Sequence, residues 1–469
     1  MRRQETSNHN SCVGAAPGLS RWFLILVLSL LCVPGARAQE ERAIGNFAGV
    51  GVRAMGMGGA FAGVADDFTA IYWNPAGLAQ MTNREVRVSF LRNGRETEST
   101  FNGTPGFSDL SNTRFGSMGF VYPYPVYQGS LVLAAGFNRV QDFDWNLNQK
   151  GVERLSDGAL HANHLFQHEG EQSLAAVAAA VDVSPAISLG VTLGLISGKD
   201  VTTNEITWVD SGGFYQEHRY LATESFTDDY DRSLRATIGA MVRSSRNDPR
   251  FRFGATLALG SEQKVNYVFS GPLDSGYNRI DYDGDVGIAT YEERDGTLRG
   301  TYKLSLPFEF GVGASYVPLA GLLLAGSAHI AEWTQAEYTG GDDNQFRADT
   351  SFESQYRDVV RYHLGVEWQV PNIALDLRAG FYTDPVPFVG PRDPDPLSTD
   401  PPFDIQLDRR FITIGAGLLL DGVVQLDAAW VRGKYEQLEQ FRNPDDDELN
   451  DSFQSQTINR LIVGLGYSF

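Results

Sequence analysis

The sequence predicts an all-β protein: a transmembrane antiparallel β-barrel of about 14 strands with an N-terminal hatch inside it. Apolar and polar residues alternate over segments longer than the 5 or 6 residues usual for a globular strand. Short turns and long polar loops also alternate along the chain. After residue 38, no apolar stretch approaches the roughly 20 residues that a membrane helix needs. A membrane protein without such helices must be a closed barrel.

Residues 1–38 are predicted to be a secretory signal, because basic residues precede an apolar run over 22–33 and small residues at 36–38 permit cleavage. Both cysteines, Cys12 and Cys32, fall in this segment, so the mature chain is expected to lack thiols, as suits an oxidising compartment. Removing a segment of charge +3 takes the formal charge from −20 to −23. Such an acidic chain disfavours nucleic acid as a partner.

Residues 39–84 are predicted to form the hatch. They are crowded with glycine and alanine, lack strand-like alternation and close on the turn-forming sequence Asn74-Pro75-Ala76-Gly77. Five aromatic residues offer contacts to a hydrophobic substrate: Phe47, Phe61, Phe68, Tyr72 and Trp73. Such a lining favours an alkyl or aryl compound by roughly 25 cal/mol per Å² buried. The alternative, that these rings only pack the hatch against the wall, carries equal weight.

Residues 85–469 are predicted to form the barrel wall. The strands are expected near 85–96, 112–122, 129–145, 170–184, 186–203, 231–245, 249–265, 300–317, 320–340, 355–370, 372–384, 406–420, 422–439 and 453–469. Tight turns follow the even-numbered strands, and long polar loops follow many odd-numbered ones, at 146–169, 204–230, 266–299 and 385–405. Short periplasmic turns with long outer loops are typical of bacterial outer-membrane barrels.

The eighth and last strands show the alternation most clearly. In the eighth, one face is predicted to carry Leu304, Leu306, Phe308, Phe310, Val312, Ala314 and Tyr316, and the other face Lys303, Ser305 and Glu309. In the last, Leu461, Val463, Leu465, Tyr467 and Phe469 are expected to point outward. This terminal pattern resembles the signal read by the barrel-assembly machinery, which is therefore an expected partner during biogenesis, together with outer-membrane lipid.

A barrel of about fourteen strands leaves a lumen rather than a packed core. Charged residues of both signs are predicted to face it: Arg252, Glu309, Arg361, Glu367, Asp376, Arg378, Asp427 and Arg460. We expect them to pair across the lumen, which would hold the wall rigid and anchor the hatch. Direct contact with a ligand is the less favoured alternative.

Two sets of residues resemble one known family. Residues 54–61, Ala65-Asp66-Asp67 and 74–78 are similar to the N-terminal hatch of the FadL/TodX outer-membrane transporters. Residues 306–309, 333–334 and 377–387 are similar to later strands of that family, in the same order.

The resemblance implies passive, hatch-gated uptake of hydrophobic compounds, such as long-chain fatty acids or hydrocarbons, across the bacterial outer membrane. It places the hatch gate at Asn74, Pro75 and Ala76 and the capture surface on loops 204–230 and 266–299. It also implies a kinked third strand at an opening in the wall, for which residues 136–138 are the candidate.

One rival reading comes from the same hatch. Residues 53–78 also resemble the start of barrels that serve type IX secretion as shuttle or accessory proteins. No Ser/His/Asp arrangement stands out, so the sequence does not predict an enzyme, although a triad can assemble from distant positions.

Two polar clusters could hold metals, and no other cofactor is expected. Asp281, Asp283, Asp285 and Glu292 have the spacing of a calcium loop, but Val286 stands where a glycine would make the sharp turn. A solvated acidic loop is the favoured alternative. The histidines His161, His164 and His168 would share one face of a helix, either as a transition-metal site or as part of a polar loop helix.

Overall fold

The wall of the protein is one antiparallel sheet that closes on itself. The computed structural model describes residues 41–155, 158–209, 219–245, 250–272, 295–341, 352–390, 403–442 and 449–469. The predicted signal segment lies outside these residues. In the described residues the first strand pairs with the last, from Glu85 opposite Ser468 to Phe101 opposite Ser452. Every strand edge at this seam is therefore paired, as a barrel in lipid requires.

Eighteen ladder segments build the wall. The first nine are β1 (Glu85–Phe101), β2 (Thr104–Tyr124), β3 (Leu131–Asp142), β4 (Trp145–Leu155), β5 (Gly158–Ser184), β6 (Ile187–Val209), β7 (Arg219–Arg243), β8 (Phe251–Ala258) and β9 (Ser261–Pro272). The other nine are β10 (Asp295–Leu306), β11 (Glu309–Leu319), β12 (Leu322–Ala331), β13 (Glu337–Gly341), β14 (Val359–Gln369), β15 (Leu375–Thr383), β16 (Phe403–Leu420), β17 (Val424–Arg442) and β18 (Leu449–Ser468).

Four wall strands are interrupted, so that β3 continues as β4, β8 as β9, β10 as β11 and β12 as β13. The described residues therefore form a barrel of 14 strands, and the predicted fold class is confirmed. Three of the four interruptions coincide with a residue or a turn that breaks a strand. Gly260 separates β8 from β9, Pro307 separates β10 from β11, and a single 3-10 turn, Trp333–Gln335, separates β12 from β13.

The outer face of the barrel is apolar. The last strand exposes Leu461, Val463, Leu465, Tyr467 and Phe469, as predicted, with between 44% and 54% of each residue accessible. Similar exposed rows of leucine, valine, isoleucine and phenylalanine run along the other strands. Water-soluble proteins rarely expose apolar surface on this scale, so this belt faces lipid. Among the described residues, no helix has the length and apolar character to cross a membrane.

The eighth strand corrects one prediction. Leu304 and Leu306 are predicted to share a face with Phe308, Phe310, Val312 and Tyr316, but Leu304 is fully buried in the lumen and Leu306 packs against the buried cluster around it. Lys303 points outward instead, where its Nζ lies 2.7 Å from Glu262. The reason is the break at Pro307, which has no backbone N–H to donate to the ladder. The inside and outside positions exchange across it, so that Phe308, Phe310, Val312 and Tyr316 of the following segment do face lipid.

Several predicted loops are strands that continue beyond the membrane. About 9 to 11 residues suffice to cross a bilayer, whereas β5 has 27 residues and β6 has 23. The predicted loop 146–169 is therefore wrong: β4 and the first part of β5 occupy it. The sequence signal was missed because these extensions alternate polar residues with few apolar ones.

Candidate functional site: the N-terminal segment inside the barrel

The N-terminal segment, residues 41–84, lies inside the wall. It contains the helices α1 (Val52–Gly56) and α2 (Ala70–Trp73) and a 3-10 helix, Pro75–Gln80. Most of its residues are buried. It joins the main cluster of buried apolar side chains together with inward residues from strands all round the barrel.

A ring of glycines on the inner wall lets this segment come so close. Four pairs stand directly opposite each other across neighbouring strands: Gly119 with Gly136, Gly190 with Gly239, Gly254 with Gly313, and Gly365 with Gly380. A side chain at any of them would meet the N-terminal segment; a Cβ on Gly313, for example, would lie 2.8 Å from the backbone N of Gly63. We call these eight residues the glycine ring. Sequence reasoning missed it, although inward glycines at alternate positions were a visible signal.

The glycine ring lies near one end of the barrel. Gly190 lies near the start of β6, which begins at Ile187 directly after a two-residue turn. Gly119, Gly254 and Gly365 lie equally close to short turns. The segment therefore fills the lumen at the short-turn end, which is the periplasmic end in bacterial barrels.

The side chain of Asn74 forms hydrogen bonds both within the N-terminal segment and to the barrel wall. Its side-chain Oδ1 accepts a hydrogen bond from the N–H of Ala76 at 3.1 Å and so caps the 3-10 helix that begins at Pro75. Its Nδ2 donates to the carbonyl oxygens of Ala62 at 2.8 Å and Ala240, on β7, at 3.2 Å. Asn74 is fully buried. Asn74, Pro75 and Ala76 are thus one cross-link between segment and wall; their role as a gate stays a prediction.

Replacing Asn74 tests this cross-link. We expect Asn74→Ala to destabilise the segment by about 1–3 kcal/mol, because buried carbonyl groups lose their donors. Asn74→Asp should cost at least as much although it keeps the capping oxygen, since a carboxylate would then face two carbonyl oxygens. Hydrogen exchange of residues 60–80 measures the effect. Protection equal to the wild type in both variants would show that the cross-link contributes nothing.

Charged residues also attach the same segment to the wall, at β8 and β14. The Arg53 guanidinium binds Glu367 on β14 through two nitrogen–oxygen contacts of 2.7 Å and also binds Asp66 within the segment. Arg252 on β8 approaches the other oxygen of Asp66 at 3.2 Å. Although burial alone would raise it, Arg53 and Arg252 hold the pKa of Asp66 below its ordinary value. The ion pairs are therefore fully formed at neutral pH.

The wall charges pair with one another as expected. Arg378 lies 2.7 Å from Glu367 and 2.6 Å from Asp427, and it also contacts Asp376 at 3.3 Å. These pairs join β14, β15 and β17 across the inner face. The structure thus brings together five of the eight predicted lumenal charges: Arg252, Glu367, Asp376, Arg378 and Asp427.

The other three predicted charges lie higher in the lumen. Glu309 pairs with Arg235 at 2.6 Å, and Arg361 pairs with Asp384 at 2.7 Å. The guanidinium of Arg460 lies 5.7 Å from the centre of the Phe411 ring.

The five predicted contact aromatics divide into two groups. Phe47 and Tyr72 are stacked with ring centres 6.4 Å apart, and Trp73 meets both rings edge-on at 5.9 and 5.2 Å. Phe47 and Tyr72 line two small cavities of about 40 and 50 Å³, and Trp73 lines the larger of the two, together with wall residues that include Arg235, Glu309 and Arg361. Phe61 and Phe68, by contrast, pack against Arg53 and against Gly119 of the wall. Cavities of this size admit water but not a fatty acid, since ligand sites are usually several hundred Å³.

The third strand, β3, stops pairing with β2 close to these aromatic rings. The ladder between β2 and β3 runs from Tyr124 opposite Leu131 to Ser117 opposite Asn138. Residues 136–138, the candidate kink, are still paired, and the strand turns into the barrel directly after them.

The bent strand pairs with the N-terminal segment instead. Ala48 donates to the carbonyl of Val140 at 3.0 Å, and Asp142 donates to that of Asn46 at 3.1 Å. Across the departure, Arg114 of β2 reaches Asp144, between β3 and β4, at 3.2 Å. Any movement of residues 46–48 therefore acts directly on the bent part of the third strand.

Only one of the two predicted metal clusters lies in the described residues. Asp281, Asp283, Asp285 and Glu292 lie outside the described residues. The helix predicted for His161, His164 and His168 is wrong: all three are on β5, where His161 points to the opposite side from the other two because strand residues alternate. Across the residues that the structure describes, no group of three or more His, Cys, Asp or Glu side chains is placed to hold a metal.

Comparison with known proteins identifies solved structures that have a similar fold. No protein-family model and no curated protein sequence matches the chain. Among solved structures, a FadL homologue from Pseudomonas aeruginosa is similar over 91% of this chain and 100% of its own, with a TM-score of 0.60 and 15% identity. The toluene transporter TodX of P. putida is similar over 90% of this chain and 99% of its own, with a TM-score of 0.53 and 12% identity. The chain therefore has the FadL/TodX fold, as the resemblance in its sequence predicted.

Proposed function

We propose that this protein is an outer-membrane channel for the passive uptake of hydrophobic compounds, with the N-terminal segment acting as its hatch. One observation carries the proposal: the N-terminal segment fills the lumen of a closed, lipid-facing barrel and is held there by packing against the glycine ring, by hydrogen bonds and by ion pairs. The fold shared with a toluene transporter supports the same reading. Outer-membrane lipid and the barrel-assembly machinery are the partners such a channel requires.

The substrate that we propose is apolar, either a long-chain fatty acid or a hydrocarbon. The rings of Phe47, Tyr72 and Trp73 offer it contact, while Arg235, Glu309 and Arg361 make the rest of the cavity lining polar. Because the cavities are too small for a substrate, the hatch must shift before one passes. The backbone pairing of Ala48 with Val140 makes the bent third strand the natural exit toward lipid.

Flux into liposomes tests the proposal. The purified protein, reconstituted into liposomes, should pass a labelled long-chain fatty acid or toluene faster than an unrelated outer-membrane barrel of similar width does. Glucose flux should stay at the level of that control, because the hatch blocks an aqueous path. Equal rates for the hydrophobic probes in the two barrels would exclude the proposed transport.

A further inference from the structure

An apolar groove lies on the lipid-facing side of the wall, on the strands β2, β3, β5 and β6. Its volume is about 500 Å³, which is within the range of pockets that hold small ligands. We call it the outer groove. Its edges are large side chains and its floor includes two alanines: Phe120 and Tyr122 form one edge, Leu193 forms the other, and Leu133, Ala135 and Ala179 lie between them.

The outer groove exists because small side chains stand among larger ones in two rows across the strands. In one row Tyr122 lies opposite Leu133, which lies opposite Ala179 on the next strand. In the neighbouring row Ala135 lies opposite Phe120. Leu133 and Phe120 are 43% and 41% exposed, so both rows face lipid. Atoms beside an empty hollow lose their dispersion contacts, and in a bilayer an acyl chain can supply them.

A cation lies beside the outer groove, at its end nearest the short turns. The guanidinium of Arg84 lies 4.9 Å from the ring centre of Tyr122 and 6.0 Å from that of Phe469. Tyr122 therefore contacts Arg84 and also borders the groove. Arg84 is exposed, whereas the next residue, Glu85, is buried and pairs with Arg87 at 2.9 Å. In the described part of the chain, no carboxylate forms an ion pair with Arg84.

We propose that the outer groove is a binding site for a phospholipid of the periplasmic leaflet, with one acyl chain in the groove and the phosphate group paired with Arg84. The two parts of such a lipid match the two parts of the site. An apolar groove accepts the chain, and a guanidinium is the side chain best suited to bind a phosphate through two hydrogen bonds. The inference does not depend on the proposed transport, because the site lies on the outside of the wall.

Tyrosines mark the level of the lipid headgroups at this end of the barrel. Tyr122 and Tyr124 follow each other on the outward face of β2, with ring centres 6.4 Å apart. Tyrosine is enriched at membrane–water interfaces, because its ring can lie among acyl chains while its hydroxyl reaches the headgroups. Arg84, beside Tyr122, is therefore at the depth of the phosphates. From there the outer groove extends toward the bilayer centre, where the acyl chains lie.

The outer groove also lies directly outside a part of the wall that contacts the N-terminal segment. Gly136 follows Ala135 in β3 and faces inward, where an added Cβ would lie 3.3 Å from Cδ1 of Ile71. The wall therefore has small side chains on both faces here. An acyl chain in the groove would supply the outer contacts that these small side chains do not make. Because such a lipid binds only the folded barrel, it should raise the temperature at which the barrel unfolds.

Native mass spectrometry of the purified full-length mature protein, in a nonionic detergent, tests the proposal. The probes are dioleoyl phosphatidylglycerol and dioleoylglycerol, which have the same tails, while only the first carries a phosphate. The wild type should bind phosphatidylglycerol about fivefold more tightly than dioleoylglycerol, as expected for one arginine near a membrane surface. Arg84→Gln should remove this difference, and Arg84→Lys should restore most of it. Ala135→Leu with Ala179→Leu, which fills the groove, should abolish the binding of both lipids and the thermal stabilisation by phosphatidylglycerol.

Ala255→Leu is the matched control, because it makes the same change on another lipid-facing strand, β8, where the exposed Ala255 lies opposite Val312. It should bind both lipids as the wild type does. Heat-modifiable migration in gels shows which variants form the barrel.

Three results would overturn the proposal. The first is unchanged lipid binding in a folded barrel whose groove is filled by Ala135→Leu and Ala179→Leu. The second is an equal loss of both lipids in Arg84→Gln. The third is a wild-type dimer that separates when the groove is filled, which would assign the groove to a second copy of the chain. Phospholipid binding as expected, without fatty-acid flux into liposomes, would leave this site standing and remove the transport function instead.

Discussion

Gly380→Leu should expel the N-terminal segment from the lumen. A Cβ at Gly380 would collide with the backbone of Met57 and Gly58, and the opposite residue, Gly365, leaves no room for the segment to step aside because its own Cβ position is also against Met57. Overpacking a core commonly destabilises the packed state by about 1–3 kcal/mol. Because the new side chain would clash with backbone atoms on both sides, we expect a destabilisation at or above the upper end of that range. The wall keeps its ladder hydrogen bonds whatever the segment does. We therefore expect a folded barrel with an open lumen, seen as a large rise in single-channel conductance.

Gly326→Leu is the control for this experiment. Gly326 lies on β12, and a Cβ there would meet nothing closer than 3.5 Å, with the lipid-facing Leu364 as its nearest neighbour. It should leave conductance unchanged. A graded series at Gly380, with alanine before leucine, separates expulsion from failed folding, because heat-modifiable migration in gels reports the intact barrel. If Gly380→Leu forms a barrel that conducts no more than Gly326→Leu, the glycine ring does not seat the segment.

The fold was predictable because a barrel in lipid repeats one simple rule at each strand. Alternation such as that from Leu461 to Phe469 needs only the two-residue period of a strand and a lipid-facing side. The rule failed where a local feature broke the period: Pro307 reversed the faces of Leu304 and Lys303. The rule also failed beyond the membrane, because β4 does not contact lipid there and its sequence therefore lacks the apolar alternation.

The site was less predictable because it depends on contacts between distant parts of the chain. Periodicity indicated that Glu367 and Arg378 face the lumen, but not that Arg53 reaches Glu367 across 314 positions. Asn74 likewise reaches Ala240 on β7 across 166 positions. Only the closure of the barrel brings them together, and a single sequence carries no signal of that proximity.

Glu367→Ala should produce the largest loss among the charge substitutions. The carboxylate of Glu367 is almost fully buried and takes contacts from two guanidinium groups, Arg53 of the segment and Arg378 of the wall. Removing it leaves two cations side by side at a buried position, and breaking a buried ion pair by deleting one partner typically costs about 3–5 kcal/mol. Arg378 keeps Asp427 as a wall partner, whereas Arg53 keeps only Asp66, which it shares with Arg252, so the loss should fall mainly on the segment.

A thiol probe locates this loss. If cleavage removes Cys12 and Cys32 as predicted, a cysteine introduced at the buried Ala60 is the sole thiol of the mature protein. Maleimide should label this cysteine much faster in Glu367→Ala than in the otherwise wild-type protein. In the double variant Arg53→Met with Glu367→Met, which also lacks the cation of the segment, the labelling rate should fall part of the way back. That partial recovery distinguishes an uncompensated charge from a lost contact, since a lost contact would make the double variant at least as open as the single one. Labelling as slow as in the wild type for Glu367→Ala would mean that the glycine ring and Asn74 hold the segment without the ion pair.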